Sequence, residues 1–296
     1  MQKRPMAAAI GIILLVVAVF ALAFLLLGRS APQPLFGNKL GVVEIKGVIA
    51  DARPALEALK EFQRDDAVRA VVLRVDSPGG SVGPSQEIFR EVTRTAEVKP
   101  VVCSMGAVAA SGGYYVSAPC SKIVANPGTI TGSIGVISTF PNLEGLFEKL
   151  GLKMQTIKTG PLKGAGSPDH PLSEEERAML GRMTQDIYDQ FLNDVVTSRK
   201  LKDEAVKAIS ESGIFSGRQA LELGLVDQLG NFNDAVDLAA KLGGVAGRPK
   251  LVKPEEKSER WLRQLLKDEG QSLLRGLLEQ AQLLSGPQYL YSPAAD

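Results

Sequence analysis

Residues 7–27 form an unbroken run of apolar and small side chains without a single charge. A run of this length is what a helix needs to cross the hydrocarbon core of a bilayer. A cleaved signal peptide is the alternative, but the apolar region of a signal peptide is usually shorter than this run. In addition, Arg29 occupies a position where a signal peptidase cleavage site requires a small residue. Lys3 and Arg4 precede the run and favour a cytoplasmic N-terminus. The sequence therefore predicts a cytoplasmic tail at 1–6 and an uncleaved single-pass anchor at 7–27 in the cytoplasmic (inner) membrane, with the remaining chain outside the cytoplasm.

After a linker at 28–38, short β-rich runs alternate with helical stretches. The pattern predicts strands at 40–45, 71–75, 101–104, 122–124 and 152–157, and helices at 54–64, 86–96 and 173–200. Alternation of this kind is typical of a layered α/β domain, here placed at 39–247.

The region at 248–296 differs in character and is predicted to hold a C-terminal helix and a flexible tail. Paired leucines separated by charges predict an amphipathic helix at 258–284. Packing on the domain's own core, contact with another copy and contact with the membrane surface all remain open for that helix. The tail around Tyr289 is predicted to be flexible.

Charge and cysteine content exclude several classes of protein. The net charge is +1 and aromatic residues make up only 5%, which argues against nucleic-acid binding. Cys103 and Cys120 form no CxxC pair, so a structural zinc site is not expected. Their apolar surroundings favour buried free thiols, with a disulfide as the alternative.

The chain has one histidine, and this limits the catalysts it can build. A Ser-His-Asp or Cys-His catalyst would have to use His170, which stands beside Pro171 in a segment typical of a surface turn. A serine nucleophile in this chain therefore needs another base. Lysine can serve if desolvation keeps its amine neutral, and Lys163 lies in a glycine-containing segment at 158–167. An exposed surface lysine is the alternative reading of Lys163.

Three glycine-rich loops follow predicted strands, at 75–82, 104–115 and 125–136. The first loop matches neither GxxxxGK[ST] nor GxGxxG, the two common phosphate-binding patterns. It can be read as a loop that turns backbone amides toward an anion, or as a plain turn between a strand and a helix. In the second, Ser111 stands between Ala110 and Gly112, as a nucleophile on a tight turn would, although G-x-S-x-G is not matched. In the third loop, hydroxyl side chains alternate with glycines. This pattern is typical either of a polar wall that lines a site or of a turn whose hydroxyls are all hydrogen-bonded.

Taken together, these segments resemble the signal peptide peptidase A family, in its short single-repeat form, over about residues 40–240. The resemblance lies in motifs of fixed order, listed here: Ser-Pro-Gly-Gly at 77–80, Ala-Ser-Gly-Gly-Tyr-Tyr at 110–115, Thr-Gly-Ser-Ile-Gly-Val at 131–136, Ile-Phe-Ser-Gly-Arg at 214–218 and Gly-Leu-Val-Asp-Gln-Leu-Gly at 224–230.

The resemblance implies a role for five residues. Ser111 would be the nucleophile and Lys163 the general base, in a Ser-Lys dyad. Ser133 would hydrogen-bond the lysine amine, and Gly80 and Gly112 would offer backbone N–H groups to the oxyanion.

The resemblance also implies a crotonase-like or Clp protease-like α/β core and a homo-oligomer, an octameric dome in the short form. Ser111 of one protomer would then meet Lys163 of its neighbour. The implied substrates are signal-peptide remnants and other short unfolded peptides, with no metal or nucleotide cofactor and no nucleic-acid partner. A crotonase-like acyl-CoA enzyme and a catalytically inactive membrane scaffold are the rival functions.

Overall fold

The structure is a computed structural model that describes residues 38–254 and 288–290. The predicted anchor at 7–27 and the predicted helix at 258–284 lie outside the described residues. No helix within the described ranges combines the length and apolar character that crossing a bilayer would require.

Ten strands are described: β1 (Lys39–Lys46), β2 (Val68–Ser77), β3 (Gly79–Ser81), β4 (Val101–Ala110), β5 (Lys122–Ala125), β6 (Ile130–Gly132), β7 (Ile214–Ser216), β8 (Gln228–Leu229), β9 (Lys250–Val252) and β10 (Gln288–Leu290). Eight helices are described: α1 (Arg53–Arg64), α2 (Val82–Val98), α3 (Gly112–Ser117), α4 (Glu144–Lys149), α5 (Glu174–Arg199), α6 (Asp203–Ile209), α7 (Gly217–Glu222) and α8 (Phe232–Leu242). The predicted alternation of strands and helices is confirmed, and the domain is a mixed α/β fold.

Eight of the strands form one sheet in the order β7-β6-β4-β2-β1-β9, with β5 pairing with β4 and β8. All pairs in it are parallel except β6 with β7. Strand β4 pairs with β5 through its first half and with β6 through its last three residues. The loop that follows β4 therefore emerges beside the loop that follows β6, which brings two of the glycine-rich segments together.

Alternate side chains of the central strands face two separate apolar layers. Val43 and Ile45 of β1 belong to the larger layer, which contains residues of α1, α2, α3 and α5. Leu40 and Val42 belong to the smaller one, which is covered by α8. This alternation is the two-residue period of a strand buried on both faces, as parallel sheets require.

Sequence signals explain where the main helices begin. Helix α5 starts with a capping box, in which the Ser173 hydroxyl accepts from the Glu176 amide while the Glu176 carboxylate accepts from the Ser173 amide. Asn231 and Asp234 form the equivalent pair at the start of α8. Helix α1 has Pro54 in its first turn and buries Ala55, Ala58, Leu59 and Phe62, which share one face.

Two expectations about the local structure are wrong. Residues 152–157 form no strand, although their apolar side chains alternate, because no neighbouring strand within the described ranges pairs with them and the segment is exposed. Residues 288–290, expected in a flexible tail, instead form β10, which pairs with β3 in a separate two-stranded sheet.

Candidate active site

Ser111 follows the last residue of β4 and immediately precedes α3. Its φ of 52° and ψ of −121° lie outside the regions that side-chain-bearing residues prefer. The side chain is completely buried, and its Oγ has no hydrogen-bond partner among the described residues. A strained backbone and an unpaired buried hydroxyl each cost about 1–3 kcal/mol. Their coincidence at one residue is typical of a functional site.

Two buried tyrosines hold α3, and with it Ser111, in place. The Tyr114 hydroxyl donates to the Leu225 carbonyl at 2.9 Å, and burial raises the pKa of Tyr114 well above its usual range. The Tyr115 hydroxyl donates to the Asp194 carboxylate of α5, and its ring stacks on Phe89 of α2 with centroids 4.7 Å apart. The paired tyrosines of the 110–115 motif thus fix the short helix against two longer ones.

Ser133 lies beside Ser111 because β6 ends next to β4. Ala110 and Gly132 are directly paired, and the Ser111 amide donates to the Gly132 carbonyl at 2.8 Å. Ser133 also has a positive φ, 53°, and its amide donates to the Gly213 carbonyl at 2.7 Å. The strand register therefore places Ser133 beside Ser111, and the hydrogen bond from Ser133 to the Lys163 amine stays a prediction.

Two hydroxyls of the third glycine-rich loop bond to the sheet, and a third hydroxyl belongs to a residue beside Ser111. Thr129 and Thr131 donate to carbonyls of β4, Thr129 to Gly106 and Thr131 to Ala109, both at 2.7 Å. These two hydroxyls are therefore satisfied parts of the sheet, and Ser133 is the member of the loop that lies beside Ser111.

The first glycine-rich loop runs alongside Ile49. The Ile49 amide donates to the Gly79 carbonyl at 2.9 Å, and the Ser81 amide donates to the Ile49 carbonyl at 2.8 Å. A Cβ on Gly80 would lie 2.2 Å from the Ile49 carbonyl oxygen, so only glycine allows this close approach. The contact holds β3 at a fixed position next to α3.

Gly80 and Gly112 lie next to each other across this junction. A Cβ on Gly112 would lie 3.2 Å from the Gly80 amide nitrogen and 2.8 Å from the Ser85 Oγ. Gly112 is the first residue of α3, where amides have no carbonyl partner within the helix. The two predicted amides are therefore close together at Ser111, as an oxyanion site requires.

The structure does not bring Lys163 to Ser111 within one chain. Lys163 is exposed in a turn, where its amide donates to the Gly160 carbonyl at 3.1 Å. His170 contacts the Pro171 carbonyl through Nδ1 at 2.9 Å, on a surface segment. Neither side chain is bonded to the Ser111 Oγ, so in a single copy of the described domain the predicted nucleophile has no contact with its predicted base.

Comparison with known proteins assigns the chain to a protein family. The model described as Peptidase family S49 matches residues 93–246, which include Ser111, Ser133 and Lys163. A putative protease of Synechocystis is 44% identical over 210 residues, which cover 70% of this chain and 76% of that protein. The chain belongs to peptidase family S49. As a member of that family it is a serine protease, and the resemblance to signal peptide peptidase A is confirmed.

Other S49 relatives are matched over part of their length. A putative signal peptide peptidase SppA of Enterococcus faecium is 41% identical over 218 residues, which cover 69% of this chain and 63% of that protein. Protease 4 of Haemophilus influenzae is 36% identical over 215 residues, and the chain spans only 35% of that longer protein.

The last S49 motif, at 224–230, supports the sheet rather than the reaction. The Asp227 carboxylate accepts from the Ile123 amide of β5, from Lys122 and, at 2.6 Å, from Arg199 at the end of α5. Burial alone would raise the pKa of Asp227, but Arg199, Lys122 and the Ile123 amide together hold that pKa below its ordinary value. The motif therefore joins α5 to the strand beside β4.

Sequence reasoning did not find Ile49 or Ser85, which position the site. Ile49 carries no chemical signal, since it acts through its backbone. Ser85 is completely buried, and its hydroxyl donates to the Ser81 carbonyl one turn earlier in the chain, at 2.9 Å. The available signal was a small polar residue directly before the predicted helix at 86–96. Cys103 and Cys120 are both free and buried, and burial raises the pKa of the Cys120 thiol.

Replacing Gly112 by alanine is expected to lower kcat by about 10²-fold, the usual effect of losing one oxyanion donor. The added methyl would press on Ser85 and on the Gly80 amide, moving the two donors apart. Gly83→Ala is the matched control, because a Cβ there meets nothing within 4 Å. Steady-state peptide hydrolysis by both variants makes the comparison. Wild-type kcat in Gly112→Ala would contradict the assignment of this amide.

Proposed function

We propose that this S49 protein is a membrane-anchored endopeptidase with a Ser-Lys dyad, and that it degrades cleaved signal peptides and other short unfolded peptides. The observation that carries the proposal is the Ser111 hydroxyl, which is buried with no hydrogen-bond partner in the described part of the chain, on a strained turn beside two glycine amides. The anchor is the apolar run at 7–27, which would place the catalytic domain outside the cytoplasm. A crotonase-like or Clp-like core is part of the same proposal.

The base is Lys163 of a neighbouring copy. In one chain Lys163 is exposed, whereas a lysine base must be shielded from water to stay neutral. The segment that leads to Lys163 exposes large apolar side chains, listed here: Ile137, Leu143, Leu146, Leu150, Leu152, Met154, Ile157 and Leu162. Contiguous exposed apolar side chains mark an interaction surface. A second copy covering this segment would bury it and carry Lys163 toward the Ser111 of its neighbour, in a closed ring that we propose is an octamer.

The chemistry follows from these positions. The neutral Lys163 amine takes the Ser111 proton as the hydroxyl oxygen attacks a peptide carbonyl. Ser133 hydrogen-bonds the amine and orients it, while the Gly80 and Gly112 amides stabilise the oxyanion. The lysine ammonium then protonates the leaving nitrogen. A water molecule activated by the same lysine hydrolyses the acyl-enzyme and restores Ser111.

A serine-reactive phosphonate probe separates this function from its two rivals. We expect the full chain in detergent micelles to be labelled at Ser111, with no labelling of Ser111→Ala, of Lys163→Ala or of the heat-unfolded protein. A folded protein that takes up no label while releasing no product from peptides would favour an inactive membrane scaffold. Turnover of an acyl-CoA thioester without labelling would favour a crotonase-like enzyme.

A further inference from the structure

A cavity of about 490 Å³ opens between the first half of α5 and the chain that follows the third glycine-rich loop. Val136, Phe140, Leu172 and Leu180 form the apolar part of its wall. Concave sites that combine apolar side chains with a few polar groups are the usual form of a binding site for a small ligand or for one end of a larger one. The reaction steps given above make no use of this cavity, so its ligand is open.

The cavity begins next to the residue that lies beside the nucleophile. The Ser212 hydroxyl, which is part of the wall, donates to the Ile134 carbonyl at 2.8 Å. The adjacent residues, Gly213 and Ser133, are joined by the hydrogen bond that the Ser133 amide donates. A peptide held at Ser111 therefore has the cavity within reach, a few residues from the bond that is attacked.

One side chain of the wall is charged, and it has no partner. Each hydroxyl and amide side chain that lines the cavity is hydrogen-bonded within the chain. Arg177 is the exception, because its guanidinium has no hydrogen bond and no ion pair with any residue in the described part of the chain. A guanidinium offers five N–H donors in a planar fork, and a carboxylate matches that fork with two parallel hydrogen bonds. The wall thus has an unused donor group whose preferred ligand is a carboxylate beside an apolar side chain.

We infer that this cavity binds the free C-terminal carboxylate of the peptide that is being cleaved, with Arg177 as the residue that holds the carboxylate. The inference rests on the proposed function, because the same peptide must reach Ser111. The apolar part of the wall would take the last side chain of the peptide. Arg177 contacts no reacting atom in this arrangement, and it acts as a specificity-determining residue.

Recognition of a carboxylate distinguishes a released peptide from the same sequence within a longer chain. A peptide that has been cut from a protein ends in a negatively charged carboxylate. In the uncut protein, an uncharged amide bond stands at that position and the chain continues through the cavity. Arg177 then gains no ion pair. Short peptides with an apolar end and a free C-terminus are therefore the favoured substrates, and unprocessed precursors are disfavoured.

The test compares two peptides of one uncharged, apolar sequence, of which one ends in a carboxylate and the other in a carboxamide. The full chain in detergent micelles should cleave the acid with a kcat/KM about 10- to 100-fold higher than the amide, the effect of a hydrogen-bonded charge pair. Arg177→Gln should lower kcat/KM for the acid to the value for the amide. Arg177→Lys keeps the charge but loses the fork, and should keep only part of the preference.

Arg182→Gln is the matched control. Arg182 is another exposed arginine of α5, but it does not line the cavity. We expect its replacement to leave the ratio between acid and amide at the wild-type value. Light scattering should show assemblies of wild-type size for both glutamine variants, so that a change in the ratio reports on the cavity and not on assembly.

The outcomes separate this inference from the proposed function. Ser111-dependent hydrolysis of both peptides by the wild type with equal kcat/KM overturns the inference alone. It does so even if a fatty acid such as decanoate inhibits through Arg177, since the carboxylate bound there would then come from a lipid. A preference for the acid that persists in Arg177→Gln overturns the assignment to this cavity. If no peptide is hydrolysed and the phosphonate probe does not react, the proposed function fails and the inference fails with it.

Discussion

Ser111→Ala is expected to lower peptide hydrolysis by at least about 10⁴-fold while leaving the protein folded, because losing a nucleophile removes the covalent route. The free energy of unfolding should not fall, and removal of a buried, unpaired hydroxyl can raise it by about 1 kcal/mol. Hydrolysis of an apolar peptide and urea unfolding of the same preparation make the measurement.

Ser117→Ala is the matched control for that result. Ser117 is another completely buried serine, at the end of α3, but its hydroxyl donates to the Gly113 carbonyl at 2.7 Å. Its loss should cost about 1 kcal/mol of unfolding free energy and leave kcat within a few-fold of wild type. Equal losses of activity in the two variants would mean that Ser111 acts through the fold of α3 and not as the nucleophile.

Lys163→Ala is expected to lower kcat by a similar factor, because the Ser111 hydroxyl loses its proposed base. Lys163→Arg should be equally inactive, since a guanidinium stays protonated and cannot accept the proton. Lys153→Ala is the control, being another exposed lysine of the same segment. The size of the assembly should be unchanged in all three variants, which can be checked by light scattering. Wild-type activity in Lys163→Ala would rule out the dyad.

Much of the fold follows from local sequence patterns. The strand around Val71–Val75 and the helix that starts at Ser173 were predictable, because burial and capping leave a signal within a few residues. The segment at 152–157 shows where such reasoning stops. Its alternation is that of a strand, but a strand needs a partner, and the side chains instead remain exposed in the single chain.

The chemistry of the site was more predictable than its geometry. Ser111 and its glycine neighbours could be recognised from the order of the motifs. The contact between Ile49 and Gly80, and the pairing of β10 with β3, depend on backbone groups that are far apart in sequence and give no residue-type signal. Under the proposed function, the approach of Lys163 to Ser111 depends on a second copy, which no local pattern of one chain specifies.

Under the proposed function, each active site takes Ser111 from one copy and Lys163 from another. The most direct measurement is the activity of oligomers formed by co-expressing Ser111→Ala and Lys163→Ala chains in equal amounts. Each chain alone should be inactive. If the copies mix at random in a closed ring, about one site in four receives both intact residues, and the mixture should recover about a quarter of wild-type activity. A mixture as inactive as its two components, in oligomers shown to contain both chains, would rule out active sites shared between copies.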